Sequence, residues 1–377
     1  MRKPSPATNR SFSIPTSRSP LSSYSSAVTC SGINDLFNEH SELLCCPRCG
    51  GILAVRGDDF ECAQCQQRYP AQDDIASLFM PNEWDDSKED VTHEIKAFYE
   101  DNPFPNYDDF DSVGSLMDKA RKAVFAKLLD EQIPAGARVI ECGCGTGQLT
   151  NFLAIRNRAV IGTDLCVNSL KMATAFKQQN DLKRAHFMQM NLFRPAFKPG
   201  TFDLVISNGV LHHTSDPQLG FESISRLVRP GGYIMIGLYH RYGRLATDIR
   251  RLAFKATNDR FMFLDRHAVD ERVSTQKRRS WFMDQYKNPH ESKHTVGEVV
   301  GWLEQVGFDF IHAIPKTEPF TGLAEDEQLF KPERLGSRFE RMLVNLGMMV
   351  TGHREGGFFI IIARRPIQKG TASEVRS

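Results

Sequence analysis

Two observations in this 377-residue sequence predict a doubly wound α/β fold on a mostly parallel, seven-stranded sheet: short apolar runs alternate with helical patterns, and the first run ends in a glycine-rich loop. Two Cys-x-x-Cys pairs ahead of this region add a small module in front. Apolar residues make up 41% and charged residues 25%, a globular profile, and the length suits one large domain plus a small one. The formal charge of +1 excludes a protein that binds polyanions through net charge alone. No run approaches the ~18 apolar residues of a membrane helix, so no membrane partner is expected.

Residues 1–34 are rich in Ser, Pro and Arg, and the first acidic residue is Asp35. Such a segment has too little apolar surface to fold and reads as a disordered tail, with a transit peptide as the alternative on the same composition. Within residues 35–82, Cys46-Pro-Arg-Cys49 and Cys62-Ala-Gln-Cys65 stand twelve residues apart. Four thiolates on two knuckles suit a closed tetrahedral structural Zn2+ site, against the alternative of free core thiols or a redox pair. Cys45 has the wrong spacing, and Cys30, Cys142, Cys144 and Cys166 read as packing residues. Paired cysteines of this kind in a long chain point to a reducing compartment, so the expected location is cytoplasmic.

Residues 83–134 open as an acidic linker, with eleven Asp or Glu between Glu83 and Asp111 against Lys88 and Lys96. Its Pro-stiffened Asn102-Pro103-Phe104-Pro105 makes Tyr99, Phe104 and Tyr107 either an aromatic lid or ordinary packing. Leu116, Ala120, Ala123, Val124 and Leu128 recur at helical spacing until Pro134 stops the pattern. Residues 135–370 then carry the alternation. Strands are predicted at 138–141, 159–163, 185–189, 203–207 and 233–238, with helices at 148–155, 168–179 and 218–227. A basic, mostly helical insertion follows within 241–290, with eleven Lys or Arg against five Asp or Glu over 241–280. Thr295 and Glu298 form a capping box for a helix to about Gln305. Strands at 308–314 and 358–363 close the sheet, the last one antiparallel.

The central motif is Val139-Ile140-Glu141-Cys142-Gly143-Cys144-Gly145-Thr146-Gly147, an apolar strand ending in an acid and three alternating glycines that let backbone approach a ligand closely. Asp164, seventeen residues after Gly147, ends the next apolar run, where a carboxylate grips a ribose edge. The dinucleotide pattern Gly-x-Gly-x-x-Gly fails, because Gln148 or Thr150 occupies its last position. The observed pattern resembles motif I of class I S-adenosylmethionine methyltransferases. Phe202 to His213 resembles that family's fourth motif, and Leu227-Val228-Arg229-Pro230-Gly231-Gly232-Tyr233 the turn before its fifth strand.

This resemblance covers Ala135 to Leu238 and more loosely runs on to Arg364. It implies a Rossmann-like methyltransferase fold, with S-adenosyl-L-methionine as cofactor. Glu141, Gly143, Gly145 and Gly147 would line its methionine and ribose, Asp164 would take the ribose hydroxyls, Asn191 would lie beside the adenine, and Asn208 would face the transferable methyl. Methyl transfer is an in-line displacement, so holding the reactants in line is the main task. If the acceptor must lose a proton, His213 and then His212 are the candidate bases, against a packing role for the pair. The Cys module resembles the zinc-ribbon proteins that partner tRNA, ribosomal and protein methyltransferases. Arg250-Arg251 and Lys277-Arg278-Arg279 either meet anionic substrate groups or form a solvated face. Three functions follow: a methyltransferase on a small or carrier-bound molecule, an RNA methyltransferase, and a catalytically silent partner protein. Neither the acceptor nor an oligomeric state is legible in the sequence.

Overall fold

The computed structural model describes residues 41–57, 59–84, 89–105, 112–265, 267–271, 273–352 and 357–367. The tail expected over 1–34, Cys30 and Tyr107 lie outside them. Strands β1 (Leu53–Arg56), β2 (Asp59–Cys62) and β3 (Arg68–Tyr69) form a small antiparallel sheet around the Cys pairs. The next two strands, β4 (Ala71–Gln72) and β5 (Ile75–Leu78), leave that sheet and extend the large one.

The large sheet contains the seven expected strands: β6 (Arg138–Cys142), β7 (Ala159–Asp164), β8 (Ala185–Met190), β9 (Phe202–Asn208), β10 (Val228–Tyr239), β11 (Asp309–Ile314) and β12 (Phe358–Arg364). With β4 and β5 it has nine, in the order β11-β12-β10-β9-β6-β7-β8-β5-β4. Strands β5 to β10 are mutually parallel, while β12 runs antiparallel to both β10 and β11. This is a Rossmann-like fold with a mostly parallel central sheet.

The helices are α1 (Thr92–Asp101), α2 (Val113–Lys122), α3 (Val124–Gln132), α4 (Gln148–Ala154), α5 (Val167–Gln179), α6 (Pro217–Ser225), α7 (Leu245–Thr257), α8 (Thr275–Phe282), α9 (Val296–Val306) and α10 (Arg338–Thr351). The pattern expected before Pro134 is divided between α2 and α3, with Ala123 extended between them. Helix α9 opens with the expected capping box, in which Thr295 Oγ1 accepts from Glu298 N–H and Glu298 Oε2 accepts from Thr295 N–H at 2.8 Å. The insertion is helical, made of α7, α8 and a π turn at Met283–Lys287.

The central strands are apolar on both faces because both faces are covered. Val139, Val160 and Leu204 belong to one core, and their neighbours Ile140, Ile161 and Val205 to the other. The second core also holds Leu44, Phe60 and Tyr69, so the Cys module shares a hydrophobic core with the sheet. Among the described residues no helix is long and apolar enough to cross a membrane.

Arg158 is 1% exposed at the start of β7. It is held by Asp130 at 2.8 Å and by the carbonyls of Ile133 and Leu153 at 3.0 and 3.1 Å. The ion pair thus clamps α3 to the sheet. Replacing Asp130 by Ala leaves a buried guanidinium without its counter-charge, and urea denaturation should show a loss of roughly 3–5 kcal/mol.

Candidate active site

In a doubly wound sheet, ligands bind beyond the carboxyl ends of the strands where successive connections run to opposite sides. Here that fork lies between β6, whose next strand β7 is on one side, and β9 on the other. A cavity of about 700 Å3 opens there. Of the residues singled out in the sequence, Glu141, Gly143, Gly145, Asp164, Asn208 and His213 line it.

The glycine loop is pinned by Gly143 and Cys144, whose N–H groups both donate to Thr163 O, at 2.7 and 2.9 Å. Gly145 has φ +52°, and a Cβ there would collide with the Phe104 carbonyl. Gly147 has φ +76° and does not line the cavity; a Cβ there would lie 2.6 Å from Ala173 Cβ and from the Phe187 ring. Gly145 and Gly147 are therefore demanded first by left-handed backbone and by close protein neighbours. The Phe104-Pro105 segment rests on this loop, and Thr146 Oγ1 donates to Pro105 O.

Asp164 accepts from Gly145 N–H at 2.8 Å and Cys166 N–H at 2.9 Å. Burial pushes its carboxyl above the ordinary value, against these backbone donors, which favour the ion. A carboxylate has about four acceptor sites, so capacity for further donors from the cavity remains. Burial pushes Glu141 up to about 8, so it carries a proton at neutral pH, and Thr150 Oγ1 donates to it at 2.5 Å.

Asn191 is turned away from the cavity. Its amide donates to Met80 O at 2.9 Å and Asn82 Oδ1 at 2.8 Å, and its carbonyl accepts from Phe193 N–H. The adenine contact expected of this side chain is thus replaced by a tie between β8 and the segment leaving β5, and the apolar Met190 and Leu192 line the cavity instead.

The two histidines separate. His212 is buried against Tyr239 at a ring distance of 4.0 Å and does not line the cavity. His213 does, with Nδ1 2.8 Å from His290 O. A carbonyl only accepts, so Nδ1 carries the proton and the Nε2 lone pair is left free to accept. Burial lowers the His213 pKa below its ordinary 6.5, partly offset by the Asp284 carboxylate, so the ring is neutral near pH 7.

Tyr99 and Phe104, read from the sequence as an aromatic lid or as packing, both line the cavity, and the remaining wall comes from segments whose cavity role the sequence did not disclose residue by residue. Tyr99 of α1 donates to Asp284 Oδ1 at 2.7 Å and accepts from Asn288 Nδ2 at 2.9 Å. Gln285 donates to Tyr239 Oη at 2.8 Å and to Asp284 Oδ2 at 2.9 Å. Tyr239, Phe358, Trp281 and Tyr286 complete an aromatic lining, with Phe104 beside the glycine loop. The aromatic content of 281–286 inside a basic segment was the available signal. The anion-binding role considered for Arg250 and Arg251 meets internal partners: Arg250 pairs with Asp265 at 2.8 Å and Arg251 with Glu291 at 2.7 Å.

In the Cys module, the sulfurs of Cys46 and Cys65 are 3.7 Å apart and those of Cys49 and Cys62 are 3.5 Å apart. All four ligand atoms lie within 4.8 Å of one another. Metal–sulfur bonds of about 2.3 Å in a tetrahedron separate sulfurs by about 3.8 Å, so the cluster has the size of a zinc site. Gln64 and Cys65 N–H groups donate to Cys62 Sγ, the contacts of a metal knuckle.

Residues 140–236 match the model of a methyltransferase domain family. A 200-residue stretch is 28% identical to an uncharacterized protein of a Synechococcus species, covering 46% of this chain and 48% of that protein. A 107-residue stretch is 33% identical to a ubiquinone biosynthesis O-methyltransferase of Chromobacterium violaceum, covering 28% of this chain and 46% of the relative. The chain spans about half the length of the curated relatives it matches. Among solved structures, a chain from a Haloferax volcanii complex between a methyltransferase activator and a methyltransferase superposes with a TM-score of 0.43 at 15% identity, covering 74% of this chain and 99% of that one.

Proposed function

We propose that this chain is an S-adenosylmethionine-dependent methyltransferase acting on a small or carrier-bound acceptor. The observation that carries the reading is one cavity lined by the glycine loop, Asp164, Asn208, His213 and an aromatic wall together. When bound, S-adenosylmethionine supplies a methyl group on a sulfonium, which needs no metal and no covalent enzyme intermediate. In this reading the backbone around Gly143 and Gly145, above Glu141, cradles the methionine portion, and Asp164 accepts from the ribose hydroxyls.

Asn208, at the open end of β9, borders the methyl group, and His213 Nε2 accepts the proton of an acceptor hydroxyl or amine while Nδ1 stays anchored on His290. Tyr99, Phe104 and Phe358 exclude water, so acceptor and methyl meet in a fixed line. Gly147, Asn191 and His212 support the site without facing it. The internal pairing of Arg250 and Arg251 favours the small-molecule reading over RNA. The four cysteines hold a structural zinc that leaves no open position for chemistry.

The deciding experiment is transfer of labelled methyl from S-adenosylmethionine into a cell extract split into small molecules, protein and RNA. Label in small molecules is expected; label in nuclease-sensitive RNA would replace this acceptor reading, and no cofactor binding at all would leave a silent partner protein. For the ribose contact, Asp164→Ala should weaken S-adenosylhomocysteine binding about tenfold or more by calorimetry, with zinc content unchanged.

The proton-acceptor role has a pH signature. Because burial lowers the His213 pKa, the ring stays neutral through pH 6.5, and the acid limb of kcat/KM should fall below that value. His213→Gln should lower kcat by roughly a hundredfold or more and abolish that limb. For the metal, elemental analysis should find about one zinc per chain, and Cys62→Ser should lose it and lower Tm by several degrees.

A further inference from the structure

Thirteen of the sixteen large apolar side chains that the described residues leave exposed lie in two segments, 242–269 and 339–350. The stripe on α7 is Leu245, Ile249 and Leu252, at i, i+4 and i+7, with Ile249 and Leu252 68% and 69% exposed. The opposite face of the same helix is turned inward: Thr247 and Arg250 line the cavity and Phe254 is core. Helix α10 exposes Phe339, Met342 and Leu346 at i, i+3 and i+7. The two helices meet where α10 ends and α7 begins, for a Cβ on Gly352 would lie 2.6 Å from Gly243 Cα.

A helix with one solvated apolar face is an unfinished interface. The charge around it selects the occupant. The insertion has eleven Lys or Arg against five Asp or Glu over 241–280; Asp248, Asp259 and Asp265 are paired with Lys293, Lys287 and Arg250, and Arg241 is paired with Glu298 and both Arg244 and Arg251 with Glu291, so the outward charge comes from the remaining cations. The exposed Lys255 and Arg260 lie at and just past the end of α7. A second copy meeting this face about a two-fold axis would set cation against cation, whereas an anionic lipid surface is complementary to both the apolar stripes and the charge.

We propose that α7 and α10 form a peripheral docking surface for anionic membranes. The helices lie on the bilayer, and α7 serves as both membrane contact and cavity wall. This places the cavity at the lipid surface, where a lipophilic acceptor would be reached, but the docking itself requires no methyl transfer.

The test is co-sedimentation of the full chain with vesicles of pure phosphatidylcholine and of phosphatidylcholine mixed equally with phosphatidylglycerol. The wild type should bind the anionic vesicles at least about tenfold more strongly than the neutral ones. Ile249→Glu combined with Leu252→Glu, and separately Leu346→Glu, should each weaken that binding about tenfold. Ile52→Glu, an exposed apolar position on the Cys module, should leave it unchanged. Unaltered far-ultraviolet dichroism and Tm in each variant confirm that folding is intact, as substitutions on exposed faces allow. Equal binding to both vesicles, no binding, or binding that survives in the α7 and α10 variants overturns the proposal. The last outcome would assign attachment to another segment, such as the basic residues 1–34 present in every variant. A wild-type dimer that Ile249→Glu with Leu252→Glu converts to monomer would also overturn it, by assigning the face to a second copy.

Discussion

The divergence of connections at the β6/β9 fork is the constraint on which the rest of the molecule depends. A parallel sheet must return each strand over one face, and the handedness of that return decides on which side the next strand is laid. From β6 the chain passes to β7 on one side, while β9 comes in on the other, so the loops after β6 and β9 separate and leave a crevice between them. The glycine loop, Asp164 and Asn208 each end a strand at that crevice. Their proximity follows from the topology, although Glu141 and Asn208 stand 67 positions apart in the chain.

Around this crevice the chain builds a wall from three distant segments held by polar side chains. Tyr99 of α1, Asp284 and Gln285 of the insertion and Tyr239 of β10 form one hydrogen-bonded chain, which continues through Gln285 to Arg244 at 2.5 Å. Arg244 is fully buried, pairs with Glu291 at 2.9 Å and lies over the Tyr239 ring at 3.8 Å. A second chain runs from Asn191 through Asn82 to Asp90 and Thr92 at the start of α1. The position of α1 over the cavity is therefore set both by the insertion and by the segment leaving β5. Glu100 adds a third anchor, accepting from Val167 and Asn168 N–H at the first turn of α5.

The Cys module is joined to this arrangement by backbone as well as by core packing. Leu78 of β5 pairs in register with Met190 of β8, Ser77 Oγ donates to Gln189 Oε1, and Cys45 N–H donates to Ala196 O. Strand β8 would otherwise be an open edge, and β5 satisfies its hydrogen bonds. Electrostatically the interior is economical: Arg158 and Arg244 have carboxylate partners, while Glu141 is relieved of its charge by taking a proton.

The sequence alone determined the α/β alternation, all seven principal strands, the capping box at Thr295 and the paired cysteines, because each rests on local patterns: apolar period, turn residues and ligand spacing. It also put Gly143 and Asp164 at strand ends and His213 on the loop after β9, where the fold has them. What it left open was decided by tertiary packing. Adjacent residues in a chain share a composition but point in different directions, so only the fold turned His213 to the cavity and His212 to Tyr239, and only the fold gave Asn191 to Met80 and Asn82 rather than to a ligand. Likewise the basic count of the insertion is a sequence property, but pairing of Arg250 with Asp265 and of Arg251 with Glu291 is a matter of distance across turns. Strand pairing between β5 and β8 joins residues more than a hundred positions apart, and no local pattern encodes it; free energy of closure and burial does.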